Sequence, residues 1–450
     1  MNIIIAGVGK IGGTLVENFV REKHDVIVID IDRNAVEKIV NEYDVKGVIG
    51  GGLERDILDE AGITDADMFI ACTNRDEMNI LSCVLAKKLG AKNTVARVRD
   101  PEYFKEMENM QKDLGLDLVF NPERRTAIAI ENLLKFPAAI NIENFASGKA
   151  VMAEFILSNT CTLVGKTLIE VSAILGQKVL FGMVQRENKV FIPRGDFVLQ
   201  AGDVVHVIGP EKDITAFFKQ IKLYKHPAKS VLIVGGGKVS YYLASILIKN
   251  KVDVKIIEQN EARCVELSEL IPETTVICGD GTDQSVLEEE SFKNADALVS
   301  LTGFDEGNVM ISLYATQKKV DKVITKVDRA SVMKMVKTLG LGTVVSPQNA
   351  TADHIIGFVR ANKTDESKGI NTFYKLNDNA EALEFVVGTN FKHSDKPLKE
   401  LKVKKNALIG AIVRGDKFIL PAGDTTIHAG DKVIIVTTIK GITELKQVFK

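Results

Sequence analysis

Five cysteines (Cys72, Cys83, Cys161, Cys264 and Cys278) are scattered through 450 residues, odd in number and with no close CxxC pair. That argues against a disulfide scaffold or a zinc knuckle and fits a reducing, cytoplasmic setting. There is no surplus of basic charge: 58 Lys and Arg face 60 Asp and Glu, a net charge of −2, whereas a nucleic-acid binder would show a basic domain or stripe. No stretch approaches the roughly 18 to 20 uninterrupted apolar residues of a helical membrane span. The opening MNIIIAGVGK runs directly into a strand pattern, so no signal peptide is expected ahead of the fold. Prolines are few, 10 against 35 glycines, and 45% of residues are hydrophobic, as in an α/β protein. The length allows about three domains at roughly 150 residues each.

What is present is present twice. Ile4-Ile5-Ala6-Gly7-Val8-Gly9-Lys10-Ile11 matches Ile233-Val234-Gly235-Gly236-Gly237-Lys238-Val239 around an offset of 228 residues (235 − 7). The same shift carries Asp30 onto Glu258, each closing an apolar strand, and Gly182 onto Gly410 (410 − 182). After a slip of one residue it carries Thr73 to Thr302, Asp76-Glu77 to Asp305-Glu306, Asn79 to Asn308 and Arg97 to Lys326. Registry at both ends of the unit identifies a tandem duplication.

Each unit has two parts. In residues 1–120, β-branched runs (NIIIAG, DVIVID, VKGVIG, DMFIAC, TVARVR) alternate with amphipathic segments such as Gly12–Arg21 and Met78–Leu89. That alternation predicts a parallel sheet covered by helices on both faces. Residues 150–208 read instead as short β runs punctuated by glycine, with a short helix at Leu168–Leu175 and a terminal helix near Ile214–Gln220; this small α+β module recurs at about 382–450. A helical connector opens at Pro122 in the first unit and Pro347 in the second, where proline suits a first turn. The expected organisation is two Rossmann-like doubly wound domains, 1–137 and 227–365, each followed by an α+β domain, 138–226 and 366–450. The polar stretch Ala361–Lys368 reads as a flexible linker.

Gly7, Gly9 and Gly12 form a GxGxxG loop between a strand and a helix, with Asp30 at the end of the next strand. The first glycine makes the tight turn, the second lets the backbone approach a pyrophosphate, and the third lets helix and strand pack closely. The helix N-terminus offers unpaired N–H groups to phosphate. A carboxylate at Asp30 would accept ribose hydroxyls and repel a 2′-phosphate, which favours NAD(H). The second loop keeps Gly235, Gly236 and Gly237 but has Ser240 at the third glycine position and Glu258 for the aspartate. A serine there is expected to push the helix slightly off the strand. Lys10 and Lys238 either reach a polyphosphate, which would suit ATP or ADP, or are exposed first-turn lysines. Thr73 and Asn74 lie at the carboxyl edge of the sheet, and Arg97 either crosses to a phosphate or pairs with the connector. Gly303 and Lys326 replace Asn74 and Arg97 in the second half, so the two sites are expected to differ. Asp76, Glu77 and Asn79, with their repeats, read as helix capping. Asp203 and Asp431, in A-G-D turns, read as hairpin chemistry.

Catalytic chemistry is not legible. The six histidines do not repeat between halves or cluster at ligand spacing, and GxSxG, HExxH and GxxxxGK[ST] do not occur. The nucleotide is expected to be sensed, not consumed; the rival is an NAD-dependent oxidoreductase with an unrecognised substrate.

The glycine loop with Asp30, A-C-T-N-R-D-E-M-N at 71–79, A-R-V-R-D at 96–100, S-P-Q-N-A-T at 346–351, G-A-I-V-R-G-D at 410–416 and A-G-D-K-V at 429–433 resemble the TrkA family of Trk potassium uptake systems. In that family RCK (regulator of potassium conductance) N- and C-terminal domains occur twice, in the order N-C-N-C. The resemblance implies a non-enzymatic cytoplasmic regulator, peripheral on the inner face of the membrane and bound to a potassium-transporting subunit of the TrkH/TrkG type. It implies NAD(H) at Gly7, Val8, Gly9, Lys10, Ile11, Asp30, Thr73, Asn74 and Arg97. Adenine nucleotides are implied for both N-domains, the second site comprising Gly235, Gly236, Gly237, Lys238, Val239, Glu258 and Lys326; Ser240 and Gly303 depart from the first-half pattern and leave its occupant open. A homotetrameric ring of eight units is the expected assembly.

Overall fold

The computed structural model describes residues 1–450 except 177, 290–294, 342, 363–368 and 378. The first βα series runs β1 (Asn2–Ala6), α1 (Lys10–Arg21), β2 (Asp25–Asp30), α2 (Arg33–Tyr43), β3 (Lys46–Ile49), α3 (Arg55–Glu60), β4 (Met68–Ala71), α4 (Asp76–Leu89), β5 (Asn93–Arg97), α5 (Pro101–Met110), β6 (Leu118–Phe120) and the connector α6 (Pro122–Lys135). Its six parallel strands take the order β3-β2-β1-β4-β5-β6. The winding therefore reverses between β1 and β4, and a crevice opens beyond their carboxyl ends.

Side chains written into the sequence set the helix boundaries. Asp32 accepts from the Asn34 amide at 2.9 Å to start α2. Asp100 accepts from the Glu102 and Tyr103 amides ahead of Pro101 to start α5. Gly90, at φ +119°, closes α4 in the left-handed region. Buried side chains such as Phe69, Ala71, Cys83 and Ala96 fill the space between sheet and helices.

A five-stranded antiparallel sheet follows: β7 (Asn141–Phe145), β8 (Ala150–Ile156), β9 (Leu180–Arg186), β10 (Lys189–Phe191) and β11 (Val204–Gly209), in the order β10-β9-β11-β8-β7. Helices α7 (Leu168–Leu175) and α8 (Glu211–Gln220) accompany it, the first opened by a Thr167/Glu170 capping box.

The second half repeats the plan. It runs β12 (Ser230–Val234), α9 (Lys238–Lys249), β13 (Asp253–Glu258), α10 (Glu261–Leu270), β14 (Thr275–Cys278), α11 (Gln284–Glu289), β15 (Ala297–Ser300), α12 (Asp305–Gln317), β16 (Lys322–Lys326), α13 (Ala330–Thr338), β17 (Val344–Val345) and α14 (Pro347–Ala361). The order β14-β13-β12-β15-β16-β17 matches the first sheet. Then come β18 (Ile370–Asn377), β19 (Ala380–Val386), β20 (Ala407–Arg414), β21 (Lys417–Ile419) and β22 (Lys432–Thr437), in the antiparallel order β18-β19-β22-β20-β21. Most of the stretch expected to be a linker, residues 363–368, lies outside the described residues.

The chain groups into two compact units that do not follow the repeat boundary. One holds Met1–Thr126 with Ser346–Val359; the other holds Ala127–Val345 with Arg360–Lys450. The connectors are the reason. In the second unit Ala127, Ile130, Leu133 and Leu134 of α6 share a core with Val231, Ile233 and Leu243, while most of α14 joins the first unit.

Within the second unit the two antiparallel sheets pack through Met152, Met183, Ile208, Ala411, Ile434 and Val436. Gly182 and Gly410 admit this close packing, because a Cβ on either would press on Ile208 Cδ1 at 3.1 and 2.5 Å.

The A-G-D aspartates do more than shape a turn. Asp203, fully buried, accepts from Arg186 Nε and Nη2 at 2.7 and 2.8 Å and from the Gln200 amide at 2.9 Å. Asp431 repeats this with Arg414, at 2.8 Å for both bonds, and the His428 amide. Hairpin chemistry alone is thus too narrow a reading: each is a forked ion pair tying two strands and a turn together. Among the described residues no helix is long and apolar enough to cross a membrane.

Candidate functional site: two glycine loops at the sheet switch points

After β1 the chain turns at Gly7, whose φ of +98° lies in the left-handed region and whose Cβ, were there one, would sit 2.7 Å from the Thr73 amide nitrogen. Gly9 is the N-cap of α1 and faces open space; beyond its immediate chain neighbours, nothing among the described residues lies within 4 Å of where its Cβ would be. At Gly12 a Cβ would fall 2.0 Å from the Gly7 carbonyl oxygen. The three glycines thus separate into a turn, an open approach and a close packing contact.

Val8 and Ile11 are buried beneath the loop, and Lys10 is exposed as the first residue of α1. Asp30 accepts from the Val8 amide at 2.8 Å through one carboxylate oxygen and from the Asp32 amide at 3.0 Å through the other. The carboxylate therefore stands at the loop and fixes it. The N-cap Gly9 makes no side-chain cap hydrogen bond, and the amino end of α1 points at the crevice with the polarity that suits an anion.

The second loop is built alike. Gly235 has φ +103°, Gly237 is the open N-cap of α9, and Glu258 accepts from the Gly236 amide at 2.6 Å and the Asn260 amide at 2.8 Å. Gly236 is buried, and Lys238 and Val239 are half-buried at the start of α9. Arg263 adds a contact from α10, Nε to the Gly236 carbonyl at 2.8 Å.

Across the switch point, Thr73 follows β4 and Asn74 is exposed at the edge. Asn79 holds this corner from inside. Its Oδ1 accepts from the Thr73 amide and hydroxyl at 2.9 and 2.7 Å, and its Nδ2 donates to the Thr73 and Arg97 carbonyls at 3.2 and 3.0 Å. Asn308 repeats all four bonds with Thr302 and Lys326. Asp76 accepts from the Arg99 and Asp100 amides, each at 2.8 Å, and Asp305 from the Asp328 and Arg329 amides. Burial opposes the charge on Asp305, but those amides and the Arg329 guanidinium hold its carboxyl below the usual range.

The expected capping role is therefore corrected for Asp76, Asp305, Asn79 and Asn308. Position in the first turn suggested a cap, but the side chains turn outward from their own helices to tie the β5 and β16 loops to the sheet edge. Only contacts distant in sequence reveal this.

Of the two roles open to Arg97, the structure displays the connector. Its Nη2 lies 3.9 Å from Glu123 at the start of α6, where Arg99 Nε also binds at 2.7 Å, and its Nη1 reaches the Thr73 carbonyl at 3.3 Å. Lys326 instead pairs within its own loop with Asp328 at 3.7 Å.

The model of the TrkA-N domain matches residues 3–122 and again 231–347, and that of the TrkA-C domain matches 152–222 and 382–450. The chain belongs to the TrkA family. It is 33% identical to the Trk system potassium uptake protein TrkA homolog 1 of Methanosarcina mazei, over the whole of both chains. It is 31% identical to TrkA of Vibrio alginolyticus, over all of this chain and 99% of that one. The RCK domain of GsuK superposes with a TM-score of 0.63 at 16% identity, covering 97% of this chain and 92% of that one. The GsuK channel bound to NAD gives 0.62 at 17%, covering 97% and 76%. These likenesses share the fold, and the family placement is among potassium uptake proteins, not oxidoreductases.

The two TrkA-N copies differ at the third glycine position. Ser240 is more than the expected spacer: its hydroxyl donates to the Gly235 carbonyl, the oxygen equivalent to the one crowding Gly12. The corner asparagines should matter equally in both copies. Asn79→Ala and Asn308→Ala each strand the Thr amide and two carbonyls, and each is expected to cost about 2 kcal/mol. Denaturant unfolding of the variants checks this; a loss within error of zero would show that water replaces the side chain.

Proposed function

We propose that this chain is the nucleotide-sensing regulatory subunit of a potassium uptake system. NAD(H) is held at the first glycine loop, ATP or ADP at the second, and a separate potassium-transporting membrane subunit of the TrkH/TrkG type is the partner. The observation that carries the reading is the pair of open glycine N-caps, Gly9 and Gly237, each beside a carboxylate already fixed against its loop amide. The α1 amides and Gly9 would take the pyrophosphate, Asp30 the ribose hydroxyls, and Thr73 and Asn74 the far side of the crevice; Arg97 would set the Thr73 carbonyl and the connector. In the second site Gly235 to Val239 and Glu258 take the equivalent parts, with Lys326 holding its loop.

Ligand shifts such a protein only by binding one conformation better than another. The α6 connector begins at Pro122, carries Glu123 beside Arg97 in its first turn, and contributes its later residues to the second unit's core. Occupancy of the first crevice can therefore bias how a ring of these chains, taken here as a tetramer, pulls on the transporter. The segments 1–137, 138–226, 227–365 and 366–450 are taken as the moving parts.

Potassium flux into vesicles holding both subunits should change on adding NADH or ATP; flux indifferent to both removes the gating role. Asp30→Ala is expected to weaken NAD(H) binding by roughly tenfold or more, since a charged hydrogen bond contributes about 1.5–3 kcal/mol, with the fold intact. Titration calorimetry and circular dichroism read the two parts, and unchanged affinity would remove Asp30 from the ribose.

A further inference from the structure

The second glycine loop has a feature the first lacks, a pair of cysteines against the main chain of the residue that supplies its carboxylate. Cys278 ends β14 directly across the ladder from Glu258, and Cys264, one residue after the loop-binding Arg263, donates its Sγ–H to the Glu258 carbonyl at 3.2 Å. Both cysteines thus sit against the main chain of Glu258, and burial together with the neighbouring Cys278 pushes the Cys264 thiol up to about 11. Both are free, Cys264 buried and Cys278 exposed. At the corresponding places the first half has Val36 and Ile49, the latter paired with Asp30 across its own ladder. The same Glu258 carbonyl accepts from the Gly279 amide at 2.9 Å, and the Glu258 carboxylate holds the Gly236 amide. One residue thus links the thiol pair to the glycine loop.

We propose that Cys264 and Cys278 are a dithiol modification site, which an oxidant of the peroxide class closes into an intrachain disulfide that alters the grip of Glu258 on the second nucleotide loop. The exposed Cys278 thiolate attacks first: an S–O bond forms, the O–O bond breaks, and hydroxide leaves and is protonated to water. Cys264 then gives its proton to solvent and attacks the Cys278 sulfur. The S–S bond forms, the S–O bond breaks, and the departing hydroxide becomes the second water. Two thiols and one peroxide yield a disulfide and two waters, the two electrons passing from sulfur to oxygen. The raised Cys264 makes this second step slow at neutral pH and faster in mild alkali. Closure removes the Sγ–H donor from the Glu258 carbonyl and pins α10 to β14, so the loop's two supports, Glu258 and Arg263, are held in a new relation.

The effect on nucleotide rests on the function proposed above; the disulfide does not. The test uses the full chain, treated with hydrogen peroxide and mapped by mass spectrometry, with ADP binding measured before and after. A linked peptide joining Cys264 to Cys278, lighter by two hydrogens, is expected, with Cys72, Cys83 and Cys161 still titratable. Cys278→Ser should give no such link. ADP affinity should change by roughly fivefold or more on closure and return on reduction. Over-oxidised Cys278 beside an untouched Cys264 overturns the modification site. A linked protein that binds ADP as the reduced form does overturns the coupling. Absence of ADP binding in both forms overturns the nucleotide reading of this loop and the coupling with it, while the mapped link still supports the modification site.

Discussion

Gly12→Ala is expected to destabilise the first βα domain by about 3 kcal/mol and to abolish nucleotide binding at its loop. The new Cβ would lie 2.0 Å from the Gly7 carbonyl oxygen, so α1 must retreat from β1 or the turn must open. Overpacking of this kind costs roughly 1–3 kcal/mol and sometimes more. The helical preference of alanine over glycine returns only about 1 kcal/mol. The second half contains the control. Ser240 occupies the same place and donates its hydroxyl to the Gly235 carbonyl, so that backbone has already adjusted to a side chain. Gly12→Ser should therefore be less harmful than Gly12→Ala by about one hydrogen bond, roughly 1 kcal/mol. Ser240→Gly should cost no more than about 1 kcal/mol, a glycine's penalty in a helix. Denaturant midpoints give the order, and NADH titration gives the binding. A Gly12→Ala protein with wild-type affinity would mean that the packing contact is softer than its geometry and that the loop does not depend on it.

How much of this was legible in the sequence follows from the range of the interactions. The doubly wound sheets could be read from β-branched runs alternating with amphipathic segments, because strand and helix periods are local. Helices α6 and α14 begin where Pro122 and Pro347 announce them, and α7 spans the expected Leu168–Leu175. The glycine loops were legible because their constraints on backbone conformation act within six residues. Short or polar strands escaped: β6 and β17 are three and two residues long, and β7, with the sequence NIENF, lacks a continuous apolar run. The corner asparagines escaped for another reason. Their repetition was visible, but the partners of Asn79 lie 6 and 18 residues away, on a different turn and a different strand. A first-turn position is a poor guide when the side chain points away from its own helix. The grouping of α14 with the first unit was likewise out of reach, since nothing in an amphipathic helix says which sheet will cover it.

The other large effect is expected in the antiparallel modules, at Arg186→Met. Asp203 has no exposed surface, and without the guanidinium its only remaining partner in that set is the Gln200 amide. An unpaired buried carboxylate typically costs 3–5 kcal/mol, far more than the pair itself contributes. Arg414→Met should do nearly the same to Asp431, since the bond lengths and the amide contact repeat. The first module should lose more, because Arg186 also stacks on Phe197 at 5.1 Å, an interaction worth about 0.5–1 kcal/mol at a partly exposed site. At the place of Phe197 the second module has Thr425. Lysine restores a charge but not the fork, so Arg186→Lys should recover only part of the loss. The decisive comparison is the double variant Arg186→Met, Asp203→Leu. Removing both partners should recover most of the stability that Arg186→Met alone forfeits, because the cost lies in stranding the carboxylate. Unfolding midpoints of the three proteins separate these contributions; a double variant no better than Arg186→Met would place the loss in packing around the turn instead.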